Sequence, residues 1–357
     1  MIRPILTISI PTYQRSCYLD ILLKQLQKEV LGLEDPDSVE IIVSDNASLD
    51  RTSEVVQQYL SIGLHFRYLR NTQNIGSDLN IAQAFNEAKG SYVLIMGDDD
   101  VLVDGALAEL LAILTQSSPG IVLLKAYGYE QNYRSEMPKS KSGYSEFVNA
   151  GEFLRKAGAQ ITLISACVIH KEIIEPLDAK SFVGDNLVQV HLVLRALLAS
   201  SISIVSNGYV VACKRNNSGG YVYAEVFVKS LGSILDYYKD FGLSNVDIIN
   251  FENHLLRVHH PYYIWRSMGL GDRSRKLSIN YFENRFKGRL SYSIFVAPQL
   301  YLPVPLAWVW GLSMVVVGRV FFGDDLTRGV YFLRHKFKSA WLFFCSSFKI
   351  MGNTPPC

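Results

Sequence analysis

Three consecutive carboxylates, Asp98, Asp99 and Asp100, follow directly on the apolar run SYVLIMG at 91–97. Ionised carboxylates side by side repel one another, and burial raises their pKa values unless a cation or hydrogen bonds hold the charge. Hard oxygen donors on a turn suit Mg²⁺ or Mn²⁺, which reach protein through one or two carboxylates and complete their shell with phosphates and water. A metal-bound diphosphate is the natural occupant of such a turn. The plainer alternative is a solvated acidic turn in which Asp100 or Asp104 caps the next helix.

Three earlier stretches resemble this one in placing a polar cluster after an apolar segment: PTYQR at 11–15, SDNASLD at 44–50 and RNTQNIGSDLN at 70–80. Each has an ordinary use as a strand terminator, a turn or a helix start, with Gly76 opening a helix capped by Ser77 or Asp78. Four polar clusters at the ends of successive strands nevertheless bring Thr12, Asp45, Asp78 and Asp98 toward one edge of one sheet.

The elements that must position them alternate. LTISI ends at Pro11 as a β-branched strand, and Leu19, Leu22, Leu23, Leu26 and Val30 then recur at helical spacing. Strands are expected at 39–44, 64–69 and 91–96, with helices at 51–60, at 77–89 and after Asp104 as cap, and GIVLLKAY as a further strand. This alternation predicts βαβ units, a mostly parallel central sheet flanked by helices, and ligands at the carboxyl ends of the strands. Further on, the pattern predicts a polar excursion over 131–150, a strand ITLISACVIHK, a loop SFVGDN, an apolar helix LVQVHLVLRALL and two strands, SISIVS and YVVACKR.

The stretches IPTYQR, IIVSDNASLD and NIGSDLNIAQAFNEAKGSYVLIMGDDDVLVDGAL resemble the nucleotide-binding half of the family 2 glycosyltransferases of GT-A fold, in their abequosyltransferase-like branch. The resemblance covers about residues 4–125 and weakens through about 240. It implies that Pro11, Thr12 and Tyr13 line the nucleotide, that Asp45 with Asn46 beside it meets the base, and that Gly76, Asp78 and Asn80 approach the ribose or donor sugar. The family usually reads Asp-x-Asp-Asp at the acidic turn. Here Gly97 takes the first Asp position and Asp99 the metal-binding one with Asp100 beside it, while Asp98 either substitutes for the missing acid or faces water.

The chemistry so implied moves a hexosyl or deoxyhexosyl group from a nucleotide-diphosphate sugar to an acceptor hydroxyl, with Mn²⁺ or Mg²⁺ on the departing diphosphate. A carboxylate then has to deprotonate that hydroxyl. The family sets its base on a loop before a helix beyond the sheet, which makes Asp185 in SFVGDN the candidate, although an Asp at that point is equally an N-cap. Lys214 and Arg215, before NNSGG, are placed to grip the diphosphate, with Gly219 and Gly220 letting the loop close, or they form an ordinary basic turn. Five of the histidines, His170, His191, His254, His259 and His260, show no metal-ligand spacing on a common element and are read as structural.

At 357 residues the chain is long enough for one large α/β domain with an appendage. Five cysteines without a CxxC pair fit a reduced, cytosolic setting. The 38 Phe and Tyr residues lean toward a protein that meets a membrane. From Lys287 onward eight Lys/Arg face two acids, leaving 27 basic against 31 acidic residues before it. Residues 290–318 carry no charge, yet Pro298, Pro303 and Pro305 interrupt them, which suits a monotopic or re-entrant segment, with a true span or a buried hairpin as alternatives. GVYFLRHKFKSAWLFFCSSFK mixes cations with aromatics as an interfacial helix does on anionic lipid, or as a basic helix face does on a core.

The expected organisation is therefore a GT-A domain at 1–215, a helical extension at 216–289 and a membrane-associating region at 290–357, at the cytoplasmic face of the plasma membrane. The acceptor is expected to be a polyprenyl-diphosphate-linked glycan of bacterial O-antigen or capsule synthesis, with no nucleic-acid partner. Two rivals stand beside this: a nucleotidyltransferase, disfavoured because PTYQRS lacks glycine, and an inactive transferase-like scaffold, which only Gly97 supports. Neither GxGxxG nor GxxxxGK[ST] occurs, which disfavours nicotinamide and P-loop chemistry.

Overall fold

The computed structural model describes residues 3–139, 141–215, 221–267 and 272–323. The expected Gly219–Gly220 hinge and the interfacial helix at 329–349 lie outside the described residues. The chain divides into two compact units, Met1–Ile248 and a second that begins at Ile249.

The first unit is built on one sheet with nine strands among the described residues. Strands β1 (Leu6–Thr12), β2 (Val39–Asp45), β3 (Arg67–Arg70) and β4 (Tyr92–Ile95) are all parallel, in the order β3-β2-β1-β4. Helices α1 (Ser16–Leu31), α2 (Thr52–Ser61) and α3 (Ser77–Asn86) supply the crossovers. The helical spacing read from the sequence is the buried face of α1: Leu19, Leu22, Leu23 and Leu26 are wholly shielded against the sheet. Each such leucine contributes roughly 1.5–3 kcal/mol by leaving water.

Parallel register carries four strand ends to one edge. Thr12 pairs with Asp45, Asp45 with Arg70, and Ser9 with Ile95 just before the acidic turn. The chain then leaves the centre of the sheet through Gly97–Asp100 and enters β5 (Val101–Leu102) at the far margin, where Val101 pairs with Ala212.

The other half of the sheet is mixed. β6 (Ile121–Tyr129) runs parallel to β9 (Ser203–Lys214), while β7 (Tyr144–Phe147) and β8 (Cys167–His170) pair antiparallel with their neighbours. Three local expectations change here. SISIVS and YVVACKR form one strand with an irregular register against Leu123–Lys125 in place of two. The expected strand over ITLISACVIHK shortens to Cys167–His170, because turns at Gly158–Thr162 and Ile164–Ala166 bend the chain so that Ser165 reaches the acidic turn. Finally, Asp104 does not cap helix α4 (Ala106–Ser117); the carboxylate of Glu29 accepts from Gly105 N at 2.9 Å and Leu107 N at 3.2 Å, while Asp104 pairs with Arg134 and Lys28.

The second unit is helical. Phe251, Phe282, Phe286, Tyr292, Val296 and Leu300 form its buried centre, and Glu252, itself buried, pairs with Arg285 and Arg289 at 2.7 Å each. The segment Val304–Phe322, 19 residues of mean hydropathy 1.7, is long and apolar enough to cross a membrane, and only 22% of it is buried in the protein.

Candidate active site

The acidic turn is shaped by partners on four elements. Asp98, 4% exposed, accepts from Thr12 Oγ1 at 2.7 Å and from Arg15 Nη1 at 3.1 Å. The same guanidinium lies 3.5 Å from Asp99. Asp100, 5% exposed, accepts from Ser165 Oγ at 2.5 Å on one oxygen and from Lys214 N at 3.2 Å on the other. Asp99 is the most accessible of the three, its side chain 15% exposed.

Gly97 has a steric reason. A Cβ there would lie 3.1 Å from Asp99 Oδ1 and 3.5 Å from Asp100 Oδ2, so a fourth carboxylate would crowd the existing ones. Its N–H donates to Ser165 Oγ, whose own O–H donates to Asp100 Oδ2.

Burial pushes Asp98 up to about 6 against the pull of Arg15 and Thr12. Burial and then the neighbouring Asp99 push Asp100 up to about 7. Such a turn gains by taking up a cation. Among the described residues no three His, Cys, Asp or Glu side chains are grouped to enclose a metal by themselves. An all-oxygen turn with one accessible carboxylate fits an ion that completes its shell from ligand phosphates and water.

The neighbouring strand ends are more self-contained than the sequence suggests. Asp45 is fully buried and accepts from Ser48 N at 2.8 Å and Tyr68 Oη at 2.7 Å, with Arg70 Nε 3.5 Å away. Asn46 accepts from Ile75 N at 2.9 Å and donates to Asn74 Oδ1 and the Gly76 carbonyl, so it shapes the loop that leads into α3. Asn80, 3% exposed, is bonded to Ser44 through both ends of its amide. Tyr13 is 40% exposed at the end of β1, beyond half-buried Pro11. Gly76 takes φ 88°, a conformation that glycine adopts without strain.

On the opposite flank, Lys214 lies over the Tyr129 ring at 5.1 Å and donates to the Glu130 carbonyl. Arg215 Nη1 is 3.5 Å from Glu130 Oε1. Lys214 meets the acidic turn through its backbone N–H on Asp100, and Arg215 follows just past the end of that strand.

Asp185 precedes helix α6 (Val188–Ala199). Its Oδ1 accepts from Leu187 N at 2.8 Å and its Oδ2 lies 3.2 Å from His191 Nε2. Asp78 ties this loop to α3: its Oδ2 accepts from Gly184 N at 2.8 Å and Asn186 N at 2.9 Å. The loop borders a cavity of about 480 Å³ lined among others by Phe182, Asp185, His191, Arg195 and Tyr237. Arg15, Ser165 and His191 are the site neighbours that sequence reading does not single out. Arg15 lies within a quoted motif, whereas nothing in the local pattern marks the other two.

Residues 7–175 match the family model described as Glycosyl transferase family 2. The abequosyltransferase RfbV of Salmonella typhimurium is 36% identical over 112 residues, 31% of this chain and 32% of that protein. The GalNAc(5)-diNAcBac-PP-undecaprenol beta-1,3-glucosyltransferase of Campylobacter jejuni is 34% identical over 110 residues, 30% of this chain and 34% of that protein. The matched stretch thus spans about a third of the length of these curated relatives. Among solved structures, the mannosyltransferase PcManGT of Pyrobaculum calidifontis, crystallised with GDP-Man and Mn²⁺, superposes with a TM-score of 0.52 at 16% identity over 90% of this chain and 87% of that one. With the GT-A fold and this match, residues 7–175 form a glycosyl transferase family 2 region of the chain.

Proposed function

We propose that this chain is a metal-dependent glycosyltransferase that moves one sugar from a nucleotide-diphosphate donor to a hydroxyl of a lipid-linked glycan in bacterial surface polysaccharide synthesis. The observation that carries the reading is the buried acidic turn at the strand ends with its Arg15 partner, and the strand-end residue Asp78 that ties down the loop bearing Asp185 supports it. The undecaprenol-linked substrate in the name of the Campylobacter relative supports the class of acceptor.

In this reading Asp99 and Asp100 would hold Mn²⁺ or Mg²⁺, and the ion would supply neutralising charge to the leaving diphosphate. Arg15, Lys214 and Arg215 add positive charge on either side of the turn. Pro11, Thr12 and Tyr13 border the nucleotide. Asp185 takes the proton of the acceptor hydroxyl as that oxygen bonds the sugar, and the nucleoside diphosphate leaves with the electron pair of the broken bond. Residues 1–215 carry the chemistry, 216–289 extend it, and 290–357 hold the protein peripherally or monotopically on the cytoplasmic face of the membrane. Exposed Leu306, Val309 and Phe321 on Val304–Phe322 support that contact.

A thermal-shift screen of UDP-glucose, UDP-GlcNAc, UDP-galactose and GDP-mannose, with Mn²⁺ and with chelator, tests the reading. A ligand bound only by the folded state at 100 times its Kd adds about 2.7 kcal/mol of stability. Metal-dependent stabilisation by at least one donor is expected; none by any nucleotide sugar contradicts it.

A further inference from the structure

Among the buried titratable groups that the mechanism leaves unused, one adjoins its proposed base. His191 lies on the first turn of α6 with its side chain 10% exposed, and three aromatic rings surround it. Phe182 stacks on its imidazole at 4.4 Å and 10°, and Tyr237 and Tyr238 approach at 6.0 and 5.7 Å. Tyr238 Oη donates to the His191 carbonyl at 2.9 Å, which fixes the backbone as well. The ring cannot swing without breaking this packing.

Its two nitrogens have different surroundings. Nε2 faces Asp185 Oδ2 at 3.2 Å, whereas Nδ1 is buried without a hydrogen-bond partner among the described residues. A proton on Nδ1 would be a buried donor without an acceptor, which costs free energy. A bare Nε2 would in turn set its lone pair against a carboxylate oxygen. Both costs vanish in one tautomer, with the proton on Nε2 and donated to Asp185.

The same geometry assigns roles within the pair. Nδ1 is sealed off, so the imidazole offers no site to an incoming hydroxyl. Both residues line the cavity, but Asp185, its side chain 26% exposed against 10% for His191, is the more accessible of the two. With Oδ1 on Leu187 N and Oδ2 on His191, the carboxylate is held at both oxygens and keeps a lone pair on each for a proton.

We propose that His191 is a positioning residue for the proton-accepting carboxylate, fixing the Asp185 plane through an Nε2–H bond so that it meets an acceptor hydroxyl in the cavity. The proposal rests on the Asp185 base reading and adds the residue that orients it. The proton leaves the acceptor oxygen for Asp185 and afterwards passes to water; His191 exchanges none. A helix cap would need only the Leu187 bond, so the imidazole serves orientation rather than folding.

The test uses the full chain and whichever of UDP-GlcNAc, UDP-glucose, UDP-galactose and GDP-mannose the wild-type protein turns over with water or a membrane glycolipid extract as acceptor. H191F keeps a ring against Phe182 and removes the donor; H191Q restores a side-chain N–H. Misplacing a reacting group by about an ångström costs up to about 100-fold, so H191F should lose about 10- to 100-fold in kcat with donor KM within about twofold, and H191Q should recover most of it. In a D185N background H191F should add nothing. Should H191F fold poorly, imidazole ¹⁵N spectra of the wild-type protein still decide: a protonated Nε2 whose signal moves in D185N supports the proposal, and a protonated Nδ1 overturns it. Unchanged kcat in H191F, with D185N inactive, removes His191 alone. Unchanged kcat in D185N removes the base reading and this proposal together.

Discussion

Asp78 grips the backbone on both sides of Asp185, one carboxylate oxygen accepting from Gly184 N at 2.8 Å and from Asn186 N at 2.9 Å. Asp78 opens α3 and Asp185 precedes α6, so this link joins the strand-end cluster to the loop proposed to carry the base. The contact also separates two roles for Asp78. A donor-sugar contact, as the family resemblance implies, would raise donor KM on substitution. An anchor for the loop would lower kcat instead.

D78A is therefore expected to reduce kcat at least about tenfold with donor KM little changed, and to cost about 1 kcal/mol in urea unfolding, charged hydrogen bonds being worth more but this one being partly solvated. Steady-state kinetics with denaturation curves check both numbers. A rise confined to donor KM would return Asp78 to the sugar.

The raised pKa values of Asp98 and Asp100 set a pH dependence opposite in sign to ordinary acid denaturation. The folded chain holds these protons up to about 6 and about 7, above the ordinary carboxylate value of 3.8. Between about pH 4 and pH 7 the native state thus binds more protons than the unfolded one, and by linkage stability falls as pH rises through that window. In chelator, the contribution of these two groups is fully present below about pH 4 and lost by about pH 8. D100N should flatten much of this slope in denaturation measured from pH 5 to 8, and an unchanged slope would deny the burial of Asp100 its effect.

The apolar segment Val304–Phe322 gives a prediction that spares the core. Removing residues 290–357 would also remove buried Tyr292, Val296 and Leu300, so release from a membrane would be confounded with unfolding. Leu306, Val309 and Phe321 are 58%, 59% and 75% exposed, and changing all three to Ser should leave the melting temperature within a few degrees. Flotation with phosphatidylglycerol vesicles should fall severalfold in that variant. Undiminished flotation would move the membrane contact elsewhere.

Much of the first unit is legible in the sequence because it obeys simple periods. The leucines of α1 mark their buried face at helical spacing, and the β-branched runs mark the parallel strands. The acidic turn is legible because nothing but a turn can follow SYVLIM with three carboxylates. What is not legible is long-range pairing. Arg15 reaches Asp98 across 83 positions and Ser165 reaches Asp100 across 65. Glu29 caps α4 from another helix, a role that no local capping pattern announces. For the same reason Asp45, Asn46 and Asn80 read as ligand contacts in sequence, while their polar atoms in the fold bond to Tyr68, Ile75 and Ser44.

The central claim is that the Asp98–Asp100 turn takes up a divalent ion together with a diphosphate. Isothermal titration of UDP and of GDP into wild-type and D99A protein, each with Mn²⁺ and with chelator, tests it most directly. The account predicts that Mn²⁺ tightens binding of one nucleotide at least about tenfold, some 1.4 kcal/mol, in the wild-type protein and not in D99A, whose melting temperature stays the same. Equal affinity with Mn²⁺ and with chelator in the wild-type protein, or a full manganese effect surviving in D99A, would contradict it.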